Sequence, residues 1–204
     1  MNDLYQFERD LWSRGYQHIV GTDEVGRGPM AGPLVAAAVI LPQSIQIPEL
    51  NDSKKLSPKK REVLYQEILK YALEVHVTFI DVEEVDRLNV YQASKKAMRM
   101  SIEAMRTPVD YILTDAMPLE GSIPCMDIIK GDSKSASIAA ASIVAKVIRD
   151  REMVRLHQDY PMYGFNQHKG YVTKAHLAAI STYGISPHHR KSFAPVQKIL
   201  LKTK

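Results

Sequence analysis

Cysteine is almost absent: Cys125 stands alone in 204 residues. An internal disulfide and a cysteine-built zinc site are therefore excluded. Long apolar runs are missing too. The longest uncharged stretch, Gly28 to Pro48, is broken by four prolines and by Gly32, and its apolar centre spans only Leu34 to Leu41. Such a segment is too short to cross a bilayer, so no membrane association is expected. The first twelve residues carry Asp3, Glu8, Arg9 and Asp10, too much charge for a secretory signal. These absences predict a soluble, cytoplasmic protein. There is no internal repeat and no low-complexity tract. One further scarcity is local: no acidic side chain follows Asp159.

What is present suits a folded domain. Hydrophobic residues make up 45% and charged residues 25% of the chain, enough to build a core. The net charge of +4 is unevenly placed. Residues 151–204 hold nine Lys/Arg against two Asp/Glu, whereas residues 1–150 hold eighteen against twenty-one. An acidic body with a basic C-terminal quarter points to a polyanionic partner such as nucleic acid. A solvated basic surface explains the same charges equally well.

Periodicity outlines the elements. Leu4, Phe7 and Leu11 share one helix face. Ile19 to Asp23 reads as a short strand, and Leu34 to Leu41 as a buried one. Ser57-Pro58 is a cap followed by a first-turn proline, opening a helix to about Ala72. Glu74 to Ile80 alternates as a strand does. Val90 to Arg106 reads as a helix, Tyr111–Thr114 and Met126–Ile129 as strands, and Ser135 to about Gln158 as the longest helix. Small residues fill the first half of that helix, so another element can lie close to it. Beyond Pro161, Thr173 can cap one short helix through Ile180, and Pro195 can start another through Lys202. The expected fold is an α/β layer with a mixed central sheet flanked by helices. Its expected division is a catalytic domain over residues 1–160 and a basic, mostly helical C-terminal extension over 161–204.

Asp23-Glu24 stands at the end of the first strand, within Gly21-Thr22-Asp23-Glu24-Val25-Gly26-Arg27-Gly28. Adjacent acids are poor strand residues. By themselves they read as a solvated turn. Asp115 ends the strand that begins at Tyr111 and doubles as a turn initiator before Met117-Pro118. Asp132 lies between the next strand and the long helix, where an N-cap is as good a reading. If these strands are neighbours, the four acids converge. Clustered carboxylates repel one another unless cations relieve them. An all-oxygen set suits Mg²⁺ or Mn²⁺, and two such ions about 4 Å apart can hydrolyse a phosphodiester.

The motifs are specific in combination. Gly21 through Pro33 resembles the signature of bacterial ribonuclease HII. So do Asn51-Asp52-Ser53-Lys54-Lys55-Leu56-Ser57, Thr114-Asp115-Ala116, and Lys130-Gly131-Asp132-Ser133 leading into Ser137–Lys146. His168-Lys169-Gly170-Tyr171 and His189-Arg190-Lys191-Ser192-Phe193 complete the series. The resemblance covers the chain in order from about Val20 to Phe193. It implies a ribonuclease H-like fold and a metal-dependent endoribonuclease acting on the RNA strand of RNA/DNA hybrids. It also implies incision 5′ of a single ribonucleotide in duplex DNA, leaving 3′-hydroxyl and 5′-phosphate ends.

By the same resemblance, Asp23, Glu24, Asp115 and Asp132 are catalytic metal ligands for two Mn²⁺ or Mg²⁺ ions. Gly26, Arg27 and Gly28 contact the ribose 2′-hydroxyl, the group that separates RNA from DNA. Tyr171, which alone would read as a core residue, packs against the sugar at the RNA–DNA junction. Lys54, Lys146 and Lys169 are candidate phosphate contacts, and His168, His188 and His189 can contribute as well. The additional N-terminal domain usual in ribonuclease HIII is not expected, and a monomer is. Gln197-Lys198-Ile199-Leu200 begins like a clamp-binding peptide but lacks its aromatic pair, so the protein partner stays open. Two competing readings remain: a non-catalytic nucleic-acid-binding protein, and another carboxylate–metal nuclease on the same sheet.

Overall fold

The structure, a computed structural model, describes residues 3–202. Five strands form one mixed sheet: β1 (Ile19–Val25), β2 (Leu34–Ile40), β3 (Glu74–Ile80), β4 (Tyr111–Asp115) and β5 (Cys125–Ile128), in the order β3-β2-β1-β4-β5. β2 runs antiparallel to β1 and β3, whereas β4 is parallel to β1 and β5. This is the expected α/β architecture. β1 extends two residues beyond the expected strand, so Glu24 lies within it as well as Asp23.

Helices cover both faces. Val35, Ala37 and Val39 pack beneath α2 (Pro58–Tyr71) and α5 (Ala136–Asp159). Leu34, Ala36, Ala38 and Ile40 pack on the other side beneath α4 (Val90–Glu103). That alternation explains why β2 is apolar at every position: both of its faces are dry. Truncating one of its large side chains to alanine costs about 2–5 kcal/mol, so the sheet is a stiff base for its strand ends. α5 lies unusually close to β1. A Cβ built on Gly21 would come 2.1 Å from the Ser137 carbonyl carbon. Only glycine admits this approach, which brings the start of α5 over the end of β1.

Local chemistry sets the helix ends. Ser57 accepts from the Lys60 amide at the start of α2, and Ser135 from the Ile138 amide at the start of α5. α1 (Gln6–Ser13) buries Glu8, whose Oε1 accepts from the Ser135 hydroxyl at 2.5 Å and the Ser137 amide at 2.9 Å. Its carboxylate therefore serves the N-terminus of α5, where backbone donors are otherwise unpaired. α3 (Val82–Leu88) has no counterpart among the expected elements. Asp81 caps it, and Asn89, at φ 67°, turns the chain into α4.

After Pro161 the chain forms α6 (Phe165–His168), α7 (Lys174–Tyr183) and α8 (Ala194–Lys202). Phe165, Ile180 and Val196 bury themselves against Met30, Ala31 and Met153. These short helices thus sit on the loop after β1 and on the second half of α5. The Gln197–Leu200 segment lies within α8, with Ile199 and Leu200 packed on this cluster. No helix among the described residues is long and apolar enough to cross a membrane.

Candidate active site

The parallel pairing of β1 with β4 builds the site. Val20, Gly21 and Thr22 stand in register with Ile112, Leu113 and Thr114. The next residues along the two strands are Asp23 and Asp115, so both carboxylates leave the sheet at the same edge. Asp132 comes from a 3₁₀ turn, Gly131–Ser133, between β5 and α5. It is not the cap of α5; Ser135 is. The Gly131 amide donates to Asp115 Oδ1 at 2.7 Å, which ties that turn to the end of β4. The tight exit from β4 places Ala116 at φ 48°, a costly conformation for a residue with a Cβ.

One carboxylate oxygen from each of Asp23, Asp115 and Asp132 lies within 4.8 Å of the others. Glu24 stands outside this group. Adjacent residues of a strand project to opposite faces, and Glu24 Oε1 pairs with Arg27 Nη1 at 3.2 Å. Its Oε2 is buried and has no hydrogen-bond partner among the described residues. The expected four-acid cluster is thus three acids together with a fourth beside them.

Electrostatics mark the cluster as unsatisfied. Burial, then Glu24 and Asp115, hold the Asp23 carboxyl well above the usual carboxylate range. Burial lifts Glu24 to about 7 despite Arg27, and burial followed by the Asp115 charge lifts Asp132 to about 6. Desolvated like charges cannot all ionise without a counter-charge. The donors are all hard oxygens, and one buried oxygen lacks a partner. This set fits Mg²⁺ or Mn²⁺.

The cations near the site differ in availability. Lys54 Nζ is 3.8 Å from Asp132 Oδ2, with its side chain 75% exposed. Asp52 Oδ1 accepts from the Lys54 amide, and the Ser53 hydroxyl bonds Ser142 of α5 at 2.9 Å, fixing this turn beside the acids. Arg27 is half-exposed. Lys146, by contrast, is engaged: its Nζ bonds Asp150 at 2.7 Å, and Asp150 also pairs with Arg61. Lys169 donates to the Asn166 carbonyl.

Tyr171 is 44% exposed, not a core residue. A Cβ built on Gly28 would lie 3.4 Å from Tyr171 Cε1, so the ring lies close against the loop. The expected histidine contacts to phosphate fail for two residues. His189 is buried, and both ring nitrogens of His168 are occupied, by the Tyr163 carbonyl and the Gly170 amide.

Sequence reasoning missed two buried arginines. Arg149 donates from Nε to the Pro33 carbonyl at 2.9 Å, from Nη1 to that of Lys169 at 3.0 Å and from Nη2 to that of Ala31 at 3.2 Å. Arg190 donates from Nε and Nη2 to the Gly32 carbonyl and from Nη1 to that of Arg27. Burial lowers them to about 10 and about 9 respectively, so both remain charged at neutral pH. The sequence signal of Arg149 is an arginine within the apolar periodicity of α5, and that of Arg190 is its place in the His189–Phe193 motif.

The ribonuclease HII family profile matches residues 20–196. The chain belongs to the ribonuclease HII family. That makes it an endoribonuclease, a phosphodiester hydrolase. It is 55% identical to ribonuclease HII of Bacillus licheniformis over 194 residues, 95% of this chain and 76% of the relative. It is 50% identical to that of Halalkalibacterium halodurans, over 96% of this chain and 74% of the relative. Among solved structures it resembles ribonuclease H2 of Pyrococcus horikoshii, with a TM-score of 0.77 and 25% identity over 90% of this chain and 97% of that one. It also resembles ribonuclease HII of Archaeoglobus fulgidus, solved in complex with PCNA, with a TM-score of 0.72 and 27% identity over 85% and 93% of the two chains.

Proposed function

We propose that this ribonuclease HII hydrolyses the RNA strand of RNA/DNA hybrids and incises duplex DNA on the 5′ side of a single embedded ribonucleotide, leaving 3′-hydroxyl and 5′-phosphate ends. The observation that carries the reading is the convergence of Asp23, Asp115 and Asp132 within 4.8 Å, in a chain that also sets an exposed tyrosine against a glycine loop. A non-catalytic binding protein has no use for clustered carboxylates raised by burial and then by mutual repulsion. The exposed Tyr171 ring set against the Gly26–Gly28 loop, where a 2′-hydroxyl can be met, favours a ribonuclease over a DNA nuclease.

In this reading Asp23, Asp115 and Asp132, with Glu24 at their side, hold two divalent cations, Mg²⁺ or Mn²⁺. When bound, the cations supply the positive charge that an attacking water and a departing 3′-oxygen require at a phosphodiester. Lys54 stands at the rim and neutralises a neighbouring phosphate. Arg27 orients Glu24 and is exposed enough to reach the backbone. The Gly26–Gly28 backbone can donate to and accept from a 2′-hydroxyl, while the Tyr171 ring packs on the sugar. Lys146 and Lys169 contact phosphate in this scheme only by leaving their present partners, so their share is minor. The catalytic body is residues 1–160, and residues 161–204 contribute Tyr171 together with basic charge.

The test is cleavage of three duplexes of one sequence: all-DNA, all-DNA with one ribonucleotide, and an RNA/DNA hybrid, each with and without Mg²⁺ or Mn²⁺. Metal-dependent incision of the second and third is expected, mapped 5′ of the ribonucleotide. Incision of the all-DNA duplex at a comparable rate would refute the reading.

A further inference from the structure

Resting on the ribonucleotide recognition proposed above, we infer that Arg149 is a positioning residue. It holds the Gly26–Gly28 loop and the Tyr171 segment at one fixed separation and thereby sets the width of the 2′-hydroxyl pocket. The two walls of that pocket come from distant parts of the chain. Arg149, on a third element, is bonded to both. Two of its donors reach the Ala31 and Pro33 carbonyls, on the loop that continues from Gly28. Its remaining bond goes to the Lys169 carbonyl, two residues before Tyr171.

The packing is tight on the loop side. Gly26 sits at φ 106°, and a Cβ there would fall 2.5 Å from Arg149 Nε, so the loop backbone rests directly on the guanidinium. On the far side, Gly170 lies close against Ala31, whose carbonyl oxygen would be 2.2 Å from a Cβ at that glycine.

Stability alone does not account for this side chain. Arg149 is fully buried, and among the described residues it forms no ion pair with a carboxylate. A buried, unpaired guanidinium loses more in desolvation than hydrogen bonds to neutral carbonyls return. What it supplies is geometry. Its planar fork sends donors from three nitrogens in fixed directions to three carbonyls, whereas the three donors of a lysine rotate about a single nitrogen and fix no such spread. Misplacing a recognition group by about 1 Å costs roughly a hundredfold in rate.

The experiment compares wild type, Arg149→Met, Arg149→Lys and Tyr171→Ala, after circular dichroism shows which are folded. It measures the single-turnover rate at saturation on a duplex with one ribonucleotide, the affinity for all-DNA duplex, and the melting shift produced by Mn²⁺. Arg149→Met is expected to lower the saturated rate about a hundredfold. Affinity for all-DNA duplex should stay within about twofold, because that binding is carried by surface cations, and the Mn²⁺ shift should be unchanged. Arg149→Lys, which restores the charge without the fork, should remain at least about tenfold impaired. It decides the matter if the methionine variant does not fold. A folded Arg149 variant with wild-type rate, beside a crippled Tyr171→Ala, would overturn the inference and leave the recognition reading intact. So would a parallel loss of rate, all-DNA affinity and Mn²⁺ shift, which marks a merely structural role. Wild-type rates from Tyr171→Ala would remove the recognition reading and this inference with it.

Discussion

The Nε2 atoms of His176 and His189 face each other across 3.0 Å, buried on the side of the fold that carries Tyr171. Their protons follow from their neighbours. His176 Nδ1 lies 2.9 Å from the Tyr171 carbonyl, which only accepts, so Nδ1 carries the hydrogen. The bare Nε2 of neutral His176 then accepts from His189 Nε2–H. His189 Nδ1, now bare, accepts from the Ser186 amide and hydroxyl. The chain works only with both rings neutral, and protonating either would point two N–H groups at each other.

Burial holds both rings at about 4, below the ordinary imidazole value of 6.5. Between those values the unfolded chain binds protons that the folded chain refuses. Their contribution to stability is therefore complete above about pH 6.5 and is lost as pH falls toward 4. The raised carboxyls of Asp23, Glu24 and Asp132 act in the opposite sense, since protonation relieves their repulsion. A variant isolates the imidazoles. His189→Gln keeps one donor and one acceptor without a titrating ring. Melting temperature measured from pH 7.5 to 4.5 should fall less steeply for it than for wild type. Identical slopes would mean that the rings take up protons freely in the fold.

Asp132→Asn should abolish cleavage, by about a hundredfold or more, with duplex binding retained or tightened. Asp132 is held at about 6 by burial and by Asp115, so the amide also removes a repulsion. The metal-free variant should accordingly melt higher than metal-free wild type, while the upward shift on adding Mg²⁺ or Mn²⁺ should shrink. Calorimetric scans with and without metal measure both effects. Near-normal turnover with a full metal shift would remove Asp132 from the cluster.

The alternation in Glu74–Ile80, the apolar run at Leu34 and the Ser57-Pro58 cap are legible in the chain, because each is a short-range signal. So are the three aspartates at strand ends. Their convergence is conditional on strand order, and no local pattern states that β1 lies beside β4. Glu24 is adjacent to Asp23 in the sequence, yet the period of two in a strand sets its side chain beside the three aspartates rather than among them. The burial of Arg149 and Arg190 is invisible for another reason. A charged residue is read as exposed, and what buries these two is a set of carbonyls brought together only by the fold. His189, similarly, reads as a phosphate contact in a basic segment, and only the fold closes its partner His176 over it.

The basic C-terminal charges are fewer in practice than in the sequence. Arg190 is buried and Lys169 is engaged, whereas Lys174, Lys191 and Lys198 are exposed. Deleting the chain from Tyr183 onward is a poor test of them, because it removes Arg190 and the buried Val196 from the core. Replacing Lys174, Lys191 and Lys198 by glutamine keeps the fold. If these residues meet phosphates, the slope of log affinity against log salt should flatten by about 0.9 for each phosphate that no longer meets a cation. Filter binding or fluorescence anisotropy over a salt series reads this directly. An unchanged slope would assign these lysines to solvated surface.

Gly28 offers the sharpest test of discrimination. A duplex with one ribonucleotide carries the same phosphates as DNA, so charge cannot select it; the 2′-hydroxyl and the sugar shape must. At Gly28 an added Cβ meets nothing closer than Tyr171 Cε1 at 3.4 Å, which a partly exposed ring can accommodate. Gly28→Ala should therefore fold and melt as wild type does. The methyl would nevertheless stand between the Gly28 backbone and a sugar brought against Tyr171. Single-turnover incision at a lone ribonucleotide should fall by about a hundredfold, while affinity for all-DNA duplex persists. Tyr171→Phe, which keeps the ring and loses only the hydroxyl, should be far milder if packing on the sugar dominates. Normal incision by a well-folded Gly28→Ala protein would place the 2′-hydroxyl somewhere other than between Gly28 and Tyr171.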